Sequence, residues 1–163
     1  MDRVLTFEPS LCTGCRQCEM ACSFAHEGVY WPAASRLRLV RFEELCASYP
    51  VACAYCDDAP CEEVCPTGAM GRDPSTGYAR VLESRCIRCR ECVAACPLGA
   101  VDLHPKTGHP TRCDLCGGDP ACVKVCLAGA IRYEPGPRAA ARKRRARVSV
   151  RSALEGVPDA EGA

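Results

Sequence analysis

Sixteen of the seventeen cysteines in this chain fall into four tetrads with closely related spacing. The first, Cys12, Cys15, Cys18 and Cys22, reads C-x-x-C-x-x-C-x-x-x-C; the third, Cys86, Cys89, Cys92 and Cys96, repeats that spacing and is followed by Pro97. In the second, Cys53, Cys56, Cys61 and Cys65, followed by Pro66, the middle gap widens to four residues; in the fourth, Cys113, Cys116, Cys122 and Cys126, it widens to five. The outer gaps of two and three residues survive in all four sets, and only Cys46 stands outside them.

Three thiolates that must reach three corners of one inorganic core come best from a tight loop, whose backbone N–H groups then face the sulfurs. The spacing therefore predicts 4Fe-4S ligation, and it is the run found in bacterial ferredoxins, where the fourth cysteine serves the other cluster of a pair. With no Asp or His replacing a cysteine in any set, the expectation is four 4Fe-4S clusters and sixteen irons. Zinc ribbons need two well-separated C-x-x-C pairs, which packed triplets do not resemble. A disulfide framework needs an oxidising compartment, and the start, Met1 to Glu8, shows neither an apolar leader nor twin arginines. The reading is cytoplasmic. No apolar run approaches the length of a membrane span, so direct membrane insertion is not expected.

With three Phe, one Trp and five Tyr in 163 residues, an ordinary hydrophobic core is scarce. The clusters must stand in for it, and metal binding then becomes folding free energy. Charge is uneven. Residues 1–137 hold 14 Lys and Arg against 17 Asp and Glu, whereas residues 138–163 hold 7 against 3. With about −2 added by each oxidised cluster and its thiolates, the body should carry about −11.

An internal repeat organises residues 1–134. Cys65-Pro66-Thr67-Gly68-Ala69-Met70 recurs as Cys96-Pro97-Leu98-Gly99-Ala100-Val101 and as Cys126-Leu127-Ala128-Gly129-Ala130-Ile131. Each copy predicts a tight bend at glycine followed by a short strand. Asp73-Pro74-Ser75-Thr76-Gly77 and His104-Pro105-Lys106-Thr107-Gly108 read as hairpin turns, pairing 69–72 with 78–82 and 100–103 with 109–112. An insert, 23–52, carries Arg36 to Phe42, which alternates as a half-buried strand would, and Tyr30-Trp31-Pro32, read as packing with interface contact as the alternative. His26, His104 and His109 are placed in loops and given no metal. Cys46 reads as a small buried hydrophobe.

From Pro137 the composition turns to Arg and Ala, with a stop at Gly156 and Pro158, predicting a helix. Ala146, Val150, Ala153, Leu154 and Val157 form a narrow apolar stripe opposite Lys143, Arg144, Arg147 and Arg151. This basic extension, 135–163, either docks on a partner, self-associates through another copy's acidic body, or stays a solvated tail. Nucleic-acid binding would want a broad basic surface and is the distant alternative.

In this order the four tetrads resemble the iron–sulfur electron-transfer subunits of the dimethyl-sulfoxide-reductase and formate-hydrogenlyase type, in which two ferredoxin-like units are fused. The likeness covers residues 4–134. Cys12-Thr13-Gly14-Cys15, Ala21-Cys22-Ser23-Phe24, Cys113-Asp114-Leu115-Cys116-Gly117-Gly118-Asp119-Pro120 and Val125-Cys126 look like the small subunits that accompany tungsten-dependent aldehyde oxidoreductases. The resemblance implies an α+β fold of two fused ferredoxin-like units with short β-hairpins and short helices, plus the helical tail. It also implies exchanged last cysteines. One cluster would use Cys12, Cys15, Cys18 and Cys126, and a second Cys113, Cys116, Cys122 and Cys22. A third would use Cys53, Cys56, Cys61 and Cys96, and a fourth Cys86, Cys89, Cys92 and Cys65. Ser23 and Leu127 depart from the pattern, since the inner sets have proline there.

No catalytic triad, phosphate loop or nucleotide fingerprint is present. The expected role is a non-catalytic relay. It would pass single electrons between a catalytic subunit, best a tungsten or molybdenum aldehyde oxidoreductase with a nickel enzyme also open, and a second redox protein. A free soluble polyferredoxin shuttle is the alternative.

Overall fold

The computed structural model describes residues 3–45 and 47–136; Cys46 and the expected helix beyond Pro137 lie outside the described residues. In chain order the elements are β1 (Arg3–Phe7), α1 (Gln17–Glu27), β2 (Arg38–Phe42), β3 (Ala47–Val51), α2 (Pro60–Glu63), β4 (Met70–Arg72) and β5 (Ala79–Val81). Then come α3 (Glu91–Ala95), β6 (Asp102–Leu103), β7 (Pro110–Thr111), α4 (Ala121–Lys124) and β8 (Ile131–Pro135). This is a small α+β fold of short elements. Among the described residues, no helix is long and apolar enough to cross a membrane.

The strands form four separate antiparallel pairs: β1 with β8, β2 with β3, β4 with β5, and β6 with β7. Both predicted hairpins form, with Met70 opposite Val81 and Asp102 opposite Thr111. Their turns share one device. Asp73 Oδ1 accepts the N–H groups of Ser75 and Thr76, and His104 Nδ1 accepts those of Lys106 and Thr107 in the equivalent places. The repeated bend after the last cysteine is equally regular. Gly68, Gly99 and Gly129 have φ of 61°, 59° and 65°, a left-handed conformation that glycine adopts without steric cost. Each donates its N–H to the carbonyl of the cysteine three residues back, at 3.2, 3.1 and 3.0 Å.

The helices pack in two pairs, α1 on α4 and α2 on α3, so the outer tetrads meet each other and the inner tetrads meet each other. Each pair has its own small core. Around the outer tetrads it is Leu37, Ala52, Leu115 and Ile131 with Cys18, Cys113 and Cys122; around the inner ones, Ala59, Met70 and Val101 with Cys61 and Cys92. Buried cysteines occupy places that aromatic residues fill in larger domains. β1 and β8 join the two ends of the body, from Arg3 opposite Pro135 to Phe7 opposite Ile131.

Two expectations need correction. His26 lies on α1, in a helix that runs to Glu27, and not in a loop. The helix runs on past Cys22, and Ser23, at the position proline holds after the inner sets, lies within it with its hydroxyl bonded to Met20 O and Trp31 N–H. The strand within Arg36–Phe42 is not a half-buried alternating strand. Its buried residue, Leu37 at 1% exposure, precedes β2, while Val40 and Phe42 are exposed. β2 pairs only with β3, which leaves its outer face without a second layer; there Phe42 packs edge-on against Tyr49. Trp31 packs edge-on against His104, and Tyr30 stacks on Phe24 in the open.

Candidate metal centres

Three cavities are each lined by a cysteine triplet and one cysteine from another tetrad. The first holds Cys12, Cys15, Cys18 and Cys126, under a roof of Leu39 and Pro50 from the β2–β3 hairpin. The second holds Cys53, Cys56, Cys61 and Cys96 with Arg72 and Arg112. The third holds Cys86, Cys89, Cys92 and Cys65 with Arg88 and Arg90. The remaining cysteines, Cys113, Cys116, Cys122 and Cys22, lie within electrostatic reach of one another: burial raises the Cys122 thiol most, and Cys113, Cys22, Cys116 and, from the first tetrad, Cys18 add to the rise. In the three cavities the last cysteine of one tetrad thus stands with the triplet of its packing partner.

The loops of the first and third triplets follow one backbone path. Gly14 and Arg16 have φ of 69° and 62°; at matching positions Arg88 and Arg90 have 57° and 69°. Left-handed residues alternating with ordinary ones turn successive N–H groups toward one side, which makes an anion-binding concavity. The arginines accept this strained conformation only because the loop demands it. In the fourth set the positive φ values run consecutively from Leu115 to Gly118, and Asp114 caps that turn by accepting the Cys116 N–H at 3.0 Å.

Electrostatics divides the cysteines by position. Burial pushes Cys18 and Cys113 up to about 12 and Cys92 up to about 11, and neighbouring thiolates add to the rise. As bare thiols these groups resist ionisation, and a cluster's positive irons would relieve the conflict. The last cysteines of the first two tetrads are different. Burial acts upward on Cys22 and Cys65 too, yet hydrogen bonds to sulfur hold both below the usual thiol range. Ala69 N–H lies 3.2 Å from Cys65 Sγ and Ala100 N–H 3.3 Å from Cys96 Sγ, both from the repeated bend. Cys22 has no such bend after it, and Arg36 N–H from the insert supplies the equivalent bond at 3.3 Å. The donor set and its preorganised N–H groups fit 4Fe-4S clusters.

Several supporting residues carry no signal in the spacing. His26 Nε2 lies 3.0 Å from Asp114 Oδ1, and Arg36 donates to Asp114 Oδ2 at 2.6 Å, so one carboxylate joins α1, the insert and the fourth tetrad. The Asp114 hydrogen bond lifts His26 to about 10; burial opposes ionisation of Asp114, but His26 and Arg36 still hold it at about 2. His26, Asp114 and Cys116 form a close trio, with Asp114 accepting both the Cys116 backbone N–H and a bond from His26. Buried Glu19 accepts Leu39 N–H at 3.0 Å and Arg16 Nε at 2.7 Å, tying α1 to the roof of the first cavity. An acidic residue three before Cys22 or one after Cys113 is a signal only once the fold is known. Leu127, which replaces the proline beside Cys126, is 92% exposed.

Four groups of cysteines with this spacing and geometry define an iron–sulfur protein. Comparison with known proteins narrows the class. Residues 46–135 match the 4Fe-4S dicluster domain family and residues 9–25 a 4Fe-4S binding domain. The chain belongs to the 4Fe-4S dicluster family, as a polyferredoxin-type electron-transfer protein whose sixteen clustered cysteines fit four 4Fe-4S clusters. It is 45% identical over 119 residues, 72% of its length and 68% of the relative's, to the polyferredoxin-like subunit of aliphatic sulfonate oxidoreductase from Pyrococcus furiosus. It is 37% identical over 98 residues, 57% of its length and 55% of the relative's, to the electron transport protein HydN of Escherichia coli strain K12. Among solved structures it is similar to a chain of the active site complex BamBC of benzoyl coenzyme A reductase with benzoyl-CoA, at 28% identity and a TM-score of 0.49, covering 81% of this chain and 78% of that one.

Proposed function

We propose that this chain is a non-catalytic subunit that relays single electrons through four 4Fe-4S clusters between a catalytic oxidoreductase subunit and a second redox protein. A tungsten or molybdenum enzyme is the preferred catalytic partner. Each cluster, when bound, takes up and releases one electron. The chain's residues do the rest: cysteines fix the sites, backbone N–H groups compensate thiolate charge, and the paired helices hold two sites against each other.

The observation that carries the reading is the meeting, in three cavities, of a triplet with the last cysteine of its packing partner. On that basis the ligand sets are Cys12, Cys15, Cys18 and Cys126; Cys113, Cys116, Cys122 and Cys22; Cys53, Cys56, Cys61 and Cys96; and Cys86, Cys89, Cys92 and Cys65. Residues 1–134 then form two fused ferredoxin-like units, one from the outer tetrads and one from the inner. That a relative is named a subunit of aliphatic sulfonate oxidoreductase supports a catalytic partner over a free shuttle.

The test is anaerobic purification from the native host through a tag on this chain, followed by metal analysis. Iron-loaded chain with a co-purifying tungsten, molybdenum or nickel protein supports the subunit reading. Iron-loaded chain alone favours the shuttle, and stoichiometric zinc would overturn both.

A further inference from the structure

Among the described residues Arg112 is the one buried arginine, its side chain 3% exposed. It immediately precedes Cys113 of the fourth tetrad, but its side chain enters the cavity lined by Cys53, Cys56, Cys61 and Cys96. There Nη1 donates to Cys61 Sγ at 3.4 Å, and Nη2 donates to Glu62 Oε1 at 2.9 Å and to Gly71 O. Nε is buried and has no hydrogen-bond acceptor. Glu62 also serves Arg72, whose Nε lies 3.3 Å from the same oxygen, so two guanidinium groups share one carboxylate beside this site.

The other cavities lack this arrangement. Arg16, beside the first, is half exposed and spends its Nε on Glu19. Arg88 and Arg90, beside the third, lie on the surface, where water and salt screen them. A buried cation keeps its field, and a hydrogen bond to a ligand sulfur withdraws negative charge from the site. Adding an electron makes the site more negative, so both effects favour the reduced form.

We infer that Arg112 holds the reduction potential of the site framed by Cys53, Cys56, Cys61 and Cys96 above that which its cysteines alone would give. The inference rests on the ligand set proposed above. Arg112 is a positioning and tuning residue, and its effect is read on a potential rather than on turnover.

The experiment is an anaerobic titration of the full iron-loaded chain with dithionite, followed by electron paramagnetic resonance, with iron counted for every variant. In Arg112→Gln, one of the one-electron steps should move to lower potential, raising the oxidised-to-reduced ratio at fixed potential about tenfold, or about 59 mV for a one-electron couple. The shift should persist at high salt, and Arg112→Lys, which keeps the charge, should recover most of it. Glu62→Gln, which leaves both guanidinium groups unneutralised, should move the same step upward. Full iron with no step moved in Arg112→Gln overturns the inference and leaves the four-cluster reading standing. If Arg112→Gln fails to hold iron, Arg112→Lys and Glu62→Gln decide: a Glu62→Gln step that stays put, or an Arg112→Lys step that falls well below the parent's, overturns it. A parent chain without iron sinks the functional reading instead.

Discussion

His26 on α1 and Asp114 in the loop of the fourth tetrad stand 3.0 Å apart, although 88 residues separate them in sequence. Because Asp114 also takes Arg36 and the Cys116 N–H, it fastens three segments that must stay in register if Cys22 is to reach the fourth triplet. Replacing Asp114 with Asn leaves the hydrogen-bonding shape and removes the charge. Hydrogen bonds to charged groups contribute about 1.5–3 kcal/mol each, so the loss expected in anaerobic urea unfolding is about 2 kcal/mol. Iron release to a chelator should quicken from the outer tetrads, with the inner ones unaffected.

Ser23 sits within the extension of α1 past Cys22, where the inner tetrads have proline. Its hydroxyl accepts Trp31 N–H at 3.0 Å and donates to Met20 O at 2.9 Å, in full burial. Ser23→Ala should cost about 1 kcal/mol. Ser23→Pro, which restores the pattern of the inner tetrads, should cost about 3 kcal/mol or more, because proline removes a helix hydrogen bond and clashes with the preceding turn. Hydrogen exchange should show Phe24 to Glu27 unprotected in the proline variant and protected in the alanine variant.

Ligand exchange between tetrads predicts which substitutions resemble each other. Cys12→Ser and Cys126→Ser should remove the same paramagnetic signal, and Cys53→Ser should share its missing signal with Cys96→Ser. Ligation within each tetrad would instead pair Cys12→Ser with Cys22→Ser.

Gly118 has φ of 102°, and a Cβ there would run into Tyr78 Oη. Gly118→Ala should therefore destabilise the contact between the β4–β5 hairpin and the fourth tetrad. Tyr78→Phe should relieve part of that loss and leave the backbone strain, so the double variant will be more stable than the sum of the single changes predicts.

The cysteine triplets and both inner hairpins were legible in sequence because each rests on local chemistry. Ligand spacing is set by a short loop, and Asp73-Pro74-Ser75-Thr76-Gly77 closes its own turn. What was not legible depends on distant pairing. β3 shows no alternation because its buried residue, Pro50, answers to the roof over the first cavity, not to an ordinary core. His26 was misplaced because its helix continues past Ser23, whose hydroxyl finds Trp31 across a loop. Arg112 reads as a solvated charge until the fold carries it into the second cavity.

The most direct test of the four-cluster account is a joint count of iron and reducing equivalents on the chain purified without oxygen. The account predicts about sixteen irons and four one-electron reductions per chain, with loss of secondary structure when a chelator strips the metal under oxidising conditions. Eight irons and two reductions in a chain that stays folded would contradict it, since half of the paired cysteines would then be holding nothing.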